Sequence, residues 1–173
     1  INFDAHFDMR PYDQGPNSGT MFRQIADMNQ EEGKEFSYFD MGIQKTSNTA
    51  NLFKKADELG VEYILGRDMK EQNLDKITQR LDQYIEKHDH IYLTVCSDGF
   101  SSAYAPGVSS PQPFGMNPEI VIQLVKYIIK SGKTISMDIA EVSPRFDDDN
   151  QTAKLASVVV YAVINTILNP EEN

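Results

Sequence analysis

Short apolar runs alternate along the chain with longer segments in which apolar residues recur every three or four positions. The short runs lie at about 1–4, 36–43, 61–65, 90–95 and 134–139, and they predict β-strands. The run HIYLTV at 90–95 is apolar over most of its length, which is typical of a strand buried on both faces. Each run is followed by a segment with the spacing of a helix, so strand and helix alternate.

The segments between the strands have helical periodicity and recognisable ends. The predicted helices cover about 20–28, 47–59, 74–85, 117–128 and 151–168. Ser47 is the predicted N-cap of the second helix, and Gly60 follows its end. Asn117 is the predicted cap of the fourth helix, with Pro118 at the first helical position. The last helix is apolar on most sides, which predicts that it is well buried.

Alternating strands and helices predict an α/β fold, with a mainly parallel sheet between two layers of helices. No repeat, low-complexity tract or linker divides the sequence, so residues 1–173 are predicted to form a single domain. The chain starts without methionine, on a strand that already carries candidate functional residues. We therefore expect it to be the C-terminal portion of a longer protein, with the first strands of the complete sheet missing.

Composition excludes some classes of function. The chain has 26 acidic and 16 basic residues and a net charge of −10, which opposes a nucleic-acid-binding surface. The single cysteine, Cys96, cannot form an internal disulfide, which suits a reducing compartment. The longest apolar stretch, 153–168, is interrupted by polar residues and is short for a membrane span. We expect a cytoplasmic protein that binds neither nucleic acid nor a membrane.

Candidate metal ligands follow two of the predicted strands. Asp4, His6 and Asp8 stand at alternate positions after the first strand, and Cys96 and Asp98 follow the fourth. Ligands in parallel sheets bind at the carboxyl ends of the strands, where these residues would meet. Carboxylates and imidazole suit hard or borderline divalent metals. Two such ions about 3.5–4 Å apart can share a water molecule and lower its pKa.

Each of these residues also has a structural explanation when it is taken alone. Asp4 could cap a turn, His6 could be a hydrogen-bonded core histidine, and Asp98 could be a turn residue. Cys96 could be a small, inert buried side chain. The coincidence of all of them at strand ends of one sheet favours a metal site.

Three motifs resemble those of the ureohydrolases, the family of arginases, agmatinases and formimidoylglutamases. The segment DAHFD at 4–8 resembles the family motif D-A-H-x-D. The segment CSDGFSSAYAPG at 96–107 resembles the second motif, which ends in A-P-G. The segment DIAEVSP at 138–144 matches D-x-x-E-x-x-P. The motifs occur in the family order, and the resemblance implies an arginase-like fold.

The details resemble the formimidoylglutamase branch. Cys96 stands where other ureohydrolases have aspartate, and NSGTMFRQI at 17–25 resembles the S-G-T-x-F-R-Q-I segment of that branch. Ser18 stands where agmatinases have histidine, and Arg10 stands where arginases have an asparagine. The resemblance implies manganese-dependent hydrolysis of N-formimidoyl-L-glutamate to L-glutamate and formamide, a step of histidine degradation.

The resemblance also implies roles for individual residues. It implies that two Mn²⁺ ions per complete site are held by Asp4, His6, Asp8, Cys96 and Asp98. Glu141 would orient the cationic formimidoyl group as a catalytic residue, and Arg10, Asn17 and Ser18 would bind the dicarboxylate substrate. Arg23 is a second candidate for a carboxylate, with an ion pair on its own helix as the alternative. A small-molecule substrate is the expected partner, and homo-oligomerisation is left open.

The sequence departs from the family pattern in several places. The family takes a further ligand from an upstream G-G-x-H motif, which this sequence lacks. Gly99 replaces a β-branched residue and Ser97 a larger apolar one, which predicts a looser strand end near Asp98.

Three alternatives therefore stay open: a guanidino hydrolase that releases urea, an inactive fragment of such an enzyme, and a receiver-like domain with an acidic Mg²⁺ pocket. The receiver-like domain would explain Asp4 and Asp8 but not His6 or Glu141.

Overall fold

The computed structural model describes residues 1–171 and contains a five-stranded sheet in which all neighbouring strands are parallel. The strands are β1 (Asn2–Phe3), β2 (Phe39–Ile43), β3 (Glu62–Leu65), β4 (Ile91–Cys96) and β5 (Thr134–Ala140). Their order across the sheet is β3-β2-β1-β4-β5. The predicted parallel α/β fold is confirmed.

Helices cover both faces of the sheet. They are α1 (Met21–Glu31), α2 (Ala50–Glu58), α3 (Leu74–Glu86), α4 (Pro118–Lys130) and α5 (Gln151–Leu168). The larger hydrophobic cluster joins α3, α4 and α5 to strand residues such as Phe3 and Leu93. A second cluster joins α1 and α2 to Tyr38 and Ile43 on the other side. Burial of both clusters provides the main driving force for folding.

The start of α2 differs from the prediction. The helix begins at Ala50 rather than after Ser47, and the residue that precedes it is Thr49. The Ser47 hydroxyl instead donates a hydrogen bond to Oε1 of Gln112, 2.9 Å away, so it is engaged with a distant loop and does not cap α2. Gly60 follows the helix with φ +68°, as its predicted position at the helix end requires.

The start of α4 agrees with the prediction. The side-chain oxygen of Asn117 accepts a hydrogen bond from the Glu119 N–H at 2.8 Å, and Pro118 is the first helical residue. The cap satisfies an N–H group that has no partner within the helix.

The prediction that α5 is well buried is wrong. Val159 and Val163 pack into the core with α4, whereas Tyr161 and Ile167 on the opposite side are more than 60% exposed. The 18 residues of α5 meet the length and apolar composition of a membrane span, contrary to the expectation for 153–168. Only 28% of this segment is buried, and its buried side packs on α4. Its apolar residues therefore serve the core on one side only.

The sheet brings the candidate residues to one edge. β1 lies between β2 and β4, and Phe3 is paired with Val95. At the next position along these strands, Asp4 therefore lies beside Cys96, which is itself paired with Ala140 of β5. The segments that follow β1, β4 and β5 consequently meet at the carboxyl edge of the sheet.

Candidate metal centre

Asp4, His6 and Asp98 converge at this edge. Nδ1 of His6 lies 3.3 Å from Oδ1 of Asp4 and 3.3 Å from Oδ2 of Asp98. One nitrogen or oxygen of each residue lies within 4.8 Å of the other two. Both carboxylates are buried, and the imidazole is only 12% exposed. Two carboxylates and an imidazole at this spacing are suitable donors for a divalent cation.

The end of β1 fixes the position of Asp4. Its backbone N–H donates a hydrogen bond to the Met41 carbonyl of β2 at 2.9 Å. The chain then turns, and the His6 N–H donates to Oδ1 of Asp4 at 2.7 Å. A side chain that bonds the backbone two residues ahead is a common turn of aspartate. The turn brings His6 back toward the carboxylate of Asp4.

Asn48 holds the segment that carries His6, a role that the sequence did not reveal. Its Oδ1 accepts a hydrogen bond from the Phe7 N–H at 3.1 Å, and its Nδ2 donates to the Ala5 carbonyl at 2.8 Å. The same Nδ2 donates to the Gln44 carbonyl. Asn48 is 8% exposed, so these bonds satisfy backbone groups that water reaches poorly.

Two glycines, Gly42 on β2 and Gly99 in the 3₁₀ turn after β4, allow close approach to Asp4. A Cβ at Gly99 would lie 3.1 Å from the Asp4 Cα and 2.7 Å from Cε of the buried Met116. A Cβ at Gly42 would lie 2.8 Å from the Asp4 carbonyl oxygen. The predicted loosening near Asp98 is wrong, because Gly99 is packed tightly and Ser97 is buried in a closed 3₁₀ turn.

We expect Gly99→Ala to cost about 1–3 kcal/mol of folding stability, since the new methyl group overpacks a filled site. It should also lower metal occupancy, because the nearest backbone belongs to Asp4. Thermal unfolding and metal analysis of the purified variant measure the two effects. Gly132→Ala is the comparison: no atom lies within 4 Å of the added carbon, so its cost comes from its left-handed φ of +72°, which Gly99 does not share. Unchanged stability and metal content in Gly99→Ala would contradict the close-packing argument.

Cys96 lies beside the three converging residues. Its Sγ donates a hydrogen bond to Oδ1 of Asp98 at 3.0 Å. Burial raises the pKa of the Cys96 thiol far above its usual range, and the charges of Asp4 and Asp98 add to this. A thiolate, the form that binds metals, would therefore require a nearby cation. In this structure Cys96 supports a carboxylate through a hydrogen bond.

Asp8 is placed near the group but does not join it. Its backbone is left-handed, with φ +50°, and its carbonyl accepts a hydrogen bond from the Phe22 N–H at the start of α1. Burial, followed by the charge of Asp4, raises the pKa of Asp8 to about 7. The charge of Asp8 is thus linked to that of the three converging residues.

In the metal-free protein, Asp4, His6 and Asp98 influence one another's protonation. Burial and the charge of Asp98 raise the pKa of Asp4 to about 6, although its hydrogen bonds with His6 act in the opposite direction. Burial lowers the pKa of His6, but the hydrogen bonds to Asp4 and Asp98 outweigh it and raise this pKa to about 10. The imidazolium thus provides the positive charge between the two carboxylates. A metal ion would have to displace that proton.

These pKa values predict how stability depends on pH. The raised pKa values of Asp4 and Asp8 contribute folding stability that is fully present below pH 3.8, the pKa of a free aspartate. This contribution is lost as the pH rises through about 6 for Asp4 and about 7 for Asp8. The raised pKa of His6 contributes folding stability that is fully present below pH 6.5 and is lost as the pH rises through about 10. The signs agree, so the metal-free protein should become less stable as the pH rises.

Metal binding should act in the opposite direction, because Mn²⁺ requires deprotonated ligands. We expect Mn²⁺ to raise the melting temperature more at about pH 8 than at about pH 5.5. Thermal unfolding with and without Mn²⁺ at both pH values measures this. An equal rise at the two values would show that these groups do not bind the ion.

Glu141 follows β5 directly, and its carboxylate is held by a serine. It has a left-handed backbone, with φ +61°, which is uncommon for a residue other than glycine. Its Oε2 accepts a hydrogen bond from Oγ of Ser109 at 2.8 Å. The next residue, Ser110, has its Oγ 3.4 Å from Nε2 of His6. The sequence did not identify either serine; the one available signal was the long loop at the carboxyl end of β4.

Arg10, Asn17 and Ser18 lie together beside the start of α1. The Arg10 N–H donates to the Gly19 carbonyl at 3.0 Å, and a Cβ on Gly19 would lie 3.1 Å from Nε of Arg10. Oδ1 of Asn17 accepts a hydrogen bond from the Gly19 N–H and caps a 3₁₀ turn, so this atom has a structural role. Ser18 and Arg10 are exposed. The positive charge of Arg10 acts on Asp8, which places Arg10 near the metal ligands predicted from the sequence.

Arg23 has the structural role that was considered for it. Its Nε lies 2.9 Å from both carboxylate oxygens of Asp27, one turn later on α1. The interpretation of Arg23 as an ion-pair residue is confirmed.

The fold and the candidate site define a class of protein, and comparison with known proteins identifies the family. A parallel sheet that carries Asp, His and Glu at the carboxyl ends of adjacent strands defines an α/β protein with a candidate metal site. The model of the arginase family matches residues 1–165. The chain belongs to the arginase family.

Individual relatives are similar over most of this chain. A protein named formimidoylglutamase from Clostridium tetani is 54% identical over 96% of this chain and 50% of its own length. The crystal structure of formimidoylglutamase from Bacillus subtilis subsp. subtilis str. 168 has a TM-score of 0.86 at 27% identity, covering 96% of this chain and 52% of that one. Agmatine ureohydrolase of Thermoplasma volcanium has a TM-score of 0.77 at 30% identity, covering 94% and 53%. The chain spans about half the length of the curated relatives it matches.

Proposed function

We propose that this chain carries the metal site of a formimidoylglutamase, which hydrolyses N-formimidoyl-L-glutamate to L-glutamate and formamide in histidine degradation. The observation that carries the proposal is the convergence of Asp4, His6 and Asp98 at the strand ends of a chain that belongs to the arginase family. The identity of 54% to a protein named formimidoylglutamase supports the choice of substrate.

The donor set fits manganese. Asp4 and Asp98 supply buried carboxylate oxygens, and Nδ1 of His6 faces both of them. Oxygen and imidazole donors suit Mn²⁺. We propose Asp4, His6, Asp8 and Asp98 as its ligands, with Cys96 beside them. When it is bound, the metal supplies a water molecule with a lowered pKa, which serves as the nucleophile.

The other residues would bind and orient the substrate. The carboxylate of Glu141 would accept hydrogen bonds from the cationic formimidoyl nitrogens and hold the carbon in position for attack. Arg10 would pair with a substrate carboxylate, since an exposed guanidinium presents several N–H donors to such a group. Asn17 and Ser18 would donate hydrogen bonds on the same side, from the side-chain amide and the hydroxyl.

A guanidino hydrolase is the second candidate. The agmatine ureohydrolase of known structure is 30% identical to this chain, so the fold and part of the site are compatible with that activity. The placement of Arg10 argues against agmatine as the substrate, because agmatine is cationic and lacks a carboxylate for the guanidinium to bind.

Product identity tests the proposal. The manganese-loaded protein is incubated separately with N-formimidoyl-L-glutamate, arginine and agmatine, and formamide and urea are measured. We expect formamide from the first substrate and no urea from the others. Urea from arginine or agmatine would favour the second candidate, and no product from any substrate would favour a third, an inactive fragment of such an enzyme.

The proposal includes a cytoplasmic location, which a free, buried thiol at Cys96 supports because it suits a reducing compartment. The substrate is a small molecule, and neither nucleic acid nor a membrane is a proposed partner.

A further inference from the structure

A hydrogen bond links two loops that leave neighbouring strands. Ser109 lies in the loop that follows β4, and Glu141 lies directly after β5. Oγ of Ser109 donates to Oε2 of Glu141 over 2.8 Å. Ser109 is exposed, so the need to satisfy a buried hydroxyl does not explain this contact. Among the described residues, Glu141 is the hydrogen-bond partner of the Ser109 hydroxyl.

The backbone around Ser109 is fixed relative to Glu141. The Gly107 carbonyl accepts a hydrogen bond from the Ser143 N–H at 2.8 Å, two residues beyond Glu141. The Gly107 N–H donates to Oγ1 of Thr152 at 2.7 Å, near the start of α5. A Cβ at Gly107 would lie 2.5 Å from Cβ of Asp147, so the two loops pack closely. The Ser109 hydroxyl therefore has a defined position from which to hold a carboxylate.

The carboxylate of a glutamate rotates readily about its last bond, because that torsion is broad and roughly two-fold. A hydroxyl that donates to one oxygen restricts this rotation. It also leaves the second oxygen, Oε1 of Glu141, available to accept a hydrogen bond. An amidinium ion presents N–H groups that match such an oxygen.

We propose that Ser109 is a positioning residue, which holds Glu141 so that Oε1 faces the amidine nitrogens of the substrate. This inference rests on the proposed function and adds a residue to it. Ser109 acts through Glu141 and does not itself contact the reacting carbon. Loss of one hydrogen bond from a hydroxyl to a carboxylate should reduce kcat/KM about tenfold.

Four proteins test the proposal as a double-mutant cycle: the original sequence, Ser109→Ala, Glu141→Gln and the double variant. We expect Ser109→Ala to lower kcat/KM for N-formimidoyl-L-glutamate about tenfold when Glu141 is present and by much less when it is glutamine. Ser109→Thr keeps the hydroxyl and should restore most of the activity. Manganese content and melting temperature should stay unchanged in Ser109→Ala, because the contact lies outside the buried core.

A second measurement does not require turnover. The same four proteins are titrated with formamidine, the simplest amidine, and binding is followed by NMR. Ser109→Ala should weaken binding when Glu141 is present and have little effect on the Glu141→Gln background. If the original sequence releases no formamide, the proposed function fails, yet this titration still tests the role of Ser109. Unchanged kcat/KM and binding in Ser109→Ala, or equal losses on both backgrounds, would overturn the inference.

Discussion

Asp98→Asn is expected to abolish turnover and to reduce manganese binding sharply. The substitution keeps the shape of a buried side chain but removes the charge that faces Nδ1 of His6. Loss of an outer hydrogen-bond partner of a metal ligand costs about 10–100-fold in affinity or activity, so loss of a ligand should exceed about 100-fold. Metal analysis of the purified protein, together with formamide release, measures the two effects.

Asp138→Asn is a control for Asp98→Asn at an exposed position of the sheet. Asp138 lies on β5 and accepts hydrogen bonds from the hydroxyls of Thr94 and Tyr92, so it lies in the sheet but outside the metal group. It should retain manganese and turnover. An Asp98→Asn protein with normal metal content and activity would rule out Asp98 as a ligand.

Glu141→Gln is expected to lower kcat by about 10²–10³-fold, the effect of removing one preorganised electrostatic partner from an active site. Glutamine is close to glutamate in size, but it carries no charge to pair with an amidinium ion. Manganese content should remain normal, because Glu141 lies outside the Asp4–His6–Asp98 group. Steady-state kinetics of the metal-loaded variant measure the loss.

Glu119→Gln provides a control for Glu141→Gln, since Glu119 is an exposed residue in the first turn of α4. Its turnover should match that of the original sequence. A Glu141→Gln variant with unchanged kcat would show that the carboxylate does not interact with the substrate. A variant that also lost manganese would instead assign Glu141 to the metal site.

The sheet could be predicted because its strands are strongly apolar and each ends in turn-forming residues. The predicted strand at 90–95 agrees with β4 for this reason. The cap at Asn117 agrees because asparagine followed by proline is a local signal for the start of a helix. The burial of α5 could not be predicted, because an apolar sequence does not indicate which sides have a neighbour. Ser47 was misplaced for a similar reason: a serine near a helix start can cap it or bind a distant loop, and here it binds Gln112.

The candidate site could be predicted where the sheet topology alone determines the positions of its residues. In a parallel sheet the carboxyl ends of adjacent strands must meet, so Asp4, His6 and Asp98 could be expected to converge. The supporting residues could not be found in this way. Asn48 and Ser109 act through hydrogen bonds to segments 41 and 32 residues distant in sequence, and their residue types are common in loops. The role of Gly99 depends on the backbone of another strand.

The left-handed backbones of Asp8 and Glu141 have a consequence for how this sequence can evolve. A non-glycine residue in that conformation costs about 1–2 kcal/mol, and glycine avoids this cost. Substitution of either residue by glycine would relieve this backbone strain, partly offset by the larger chain entropy that glycine loses on folding, while it removed a carboxylate from the site. Natural selection for folding alone would replace both residues, and their persistence in a lineage would report continued selection for chemistry.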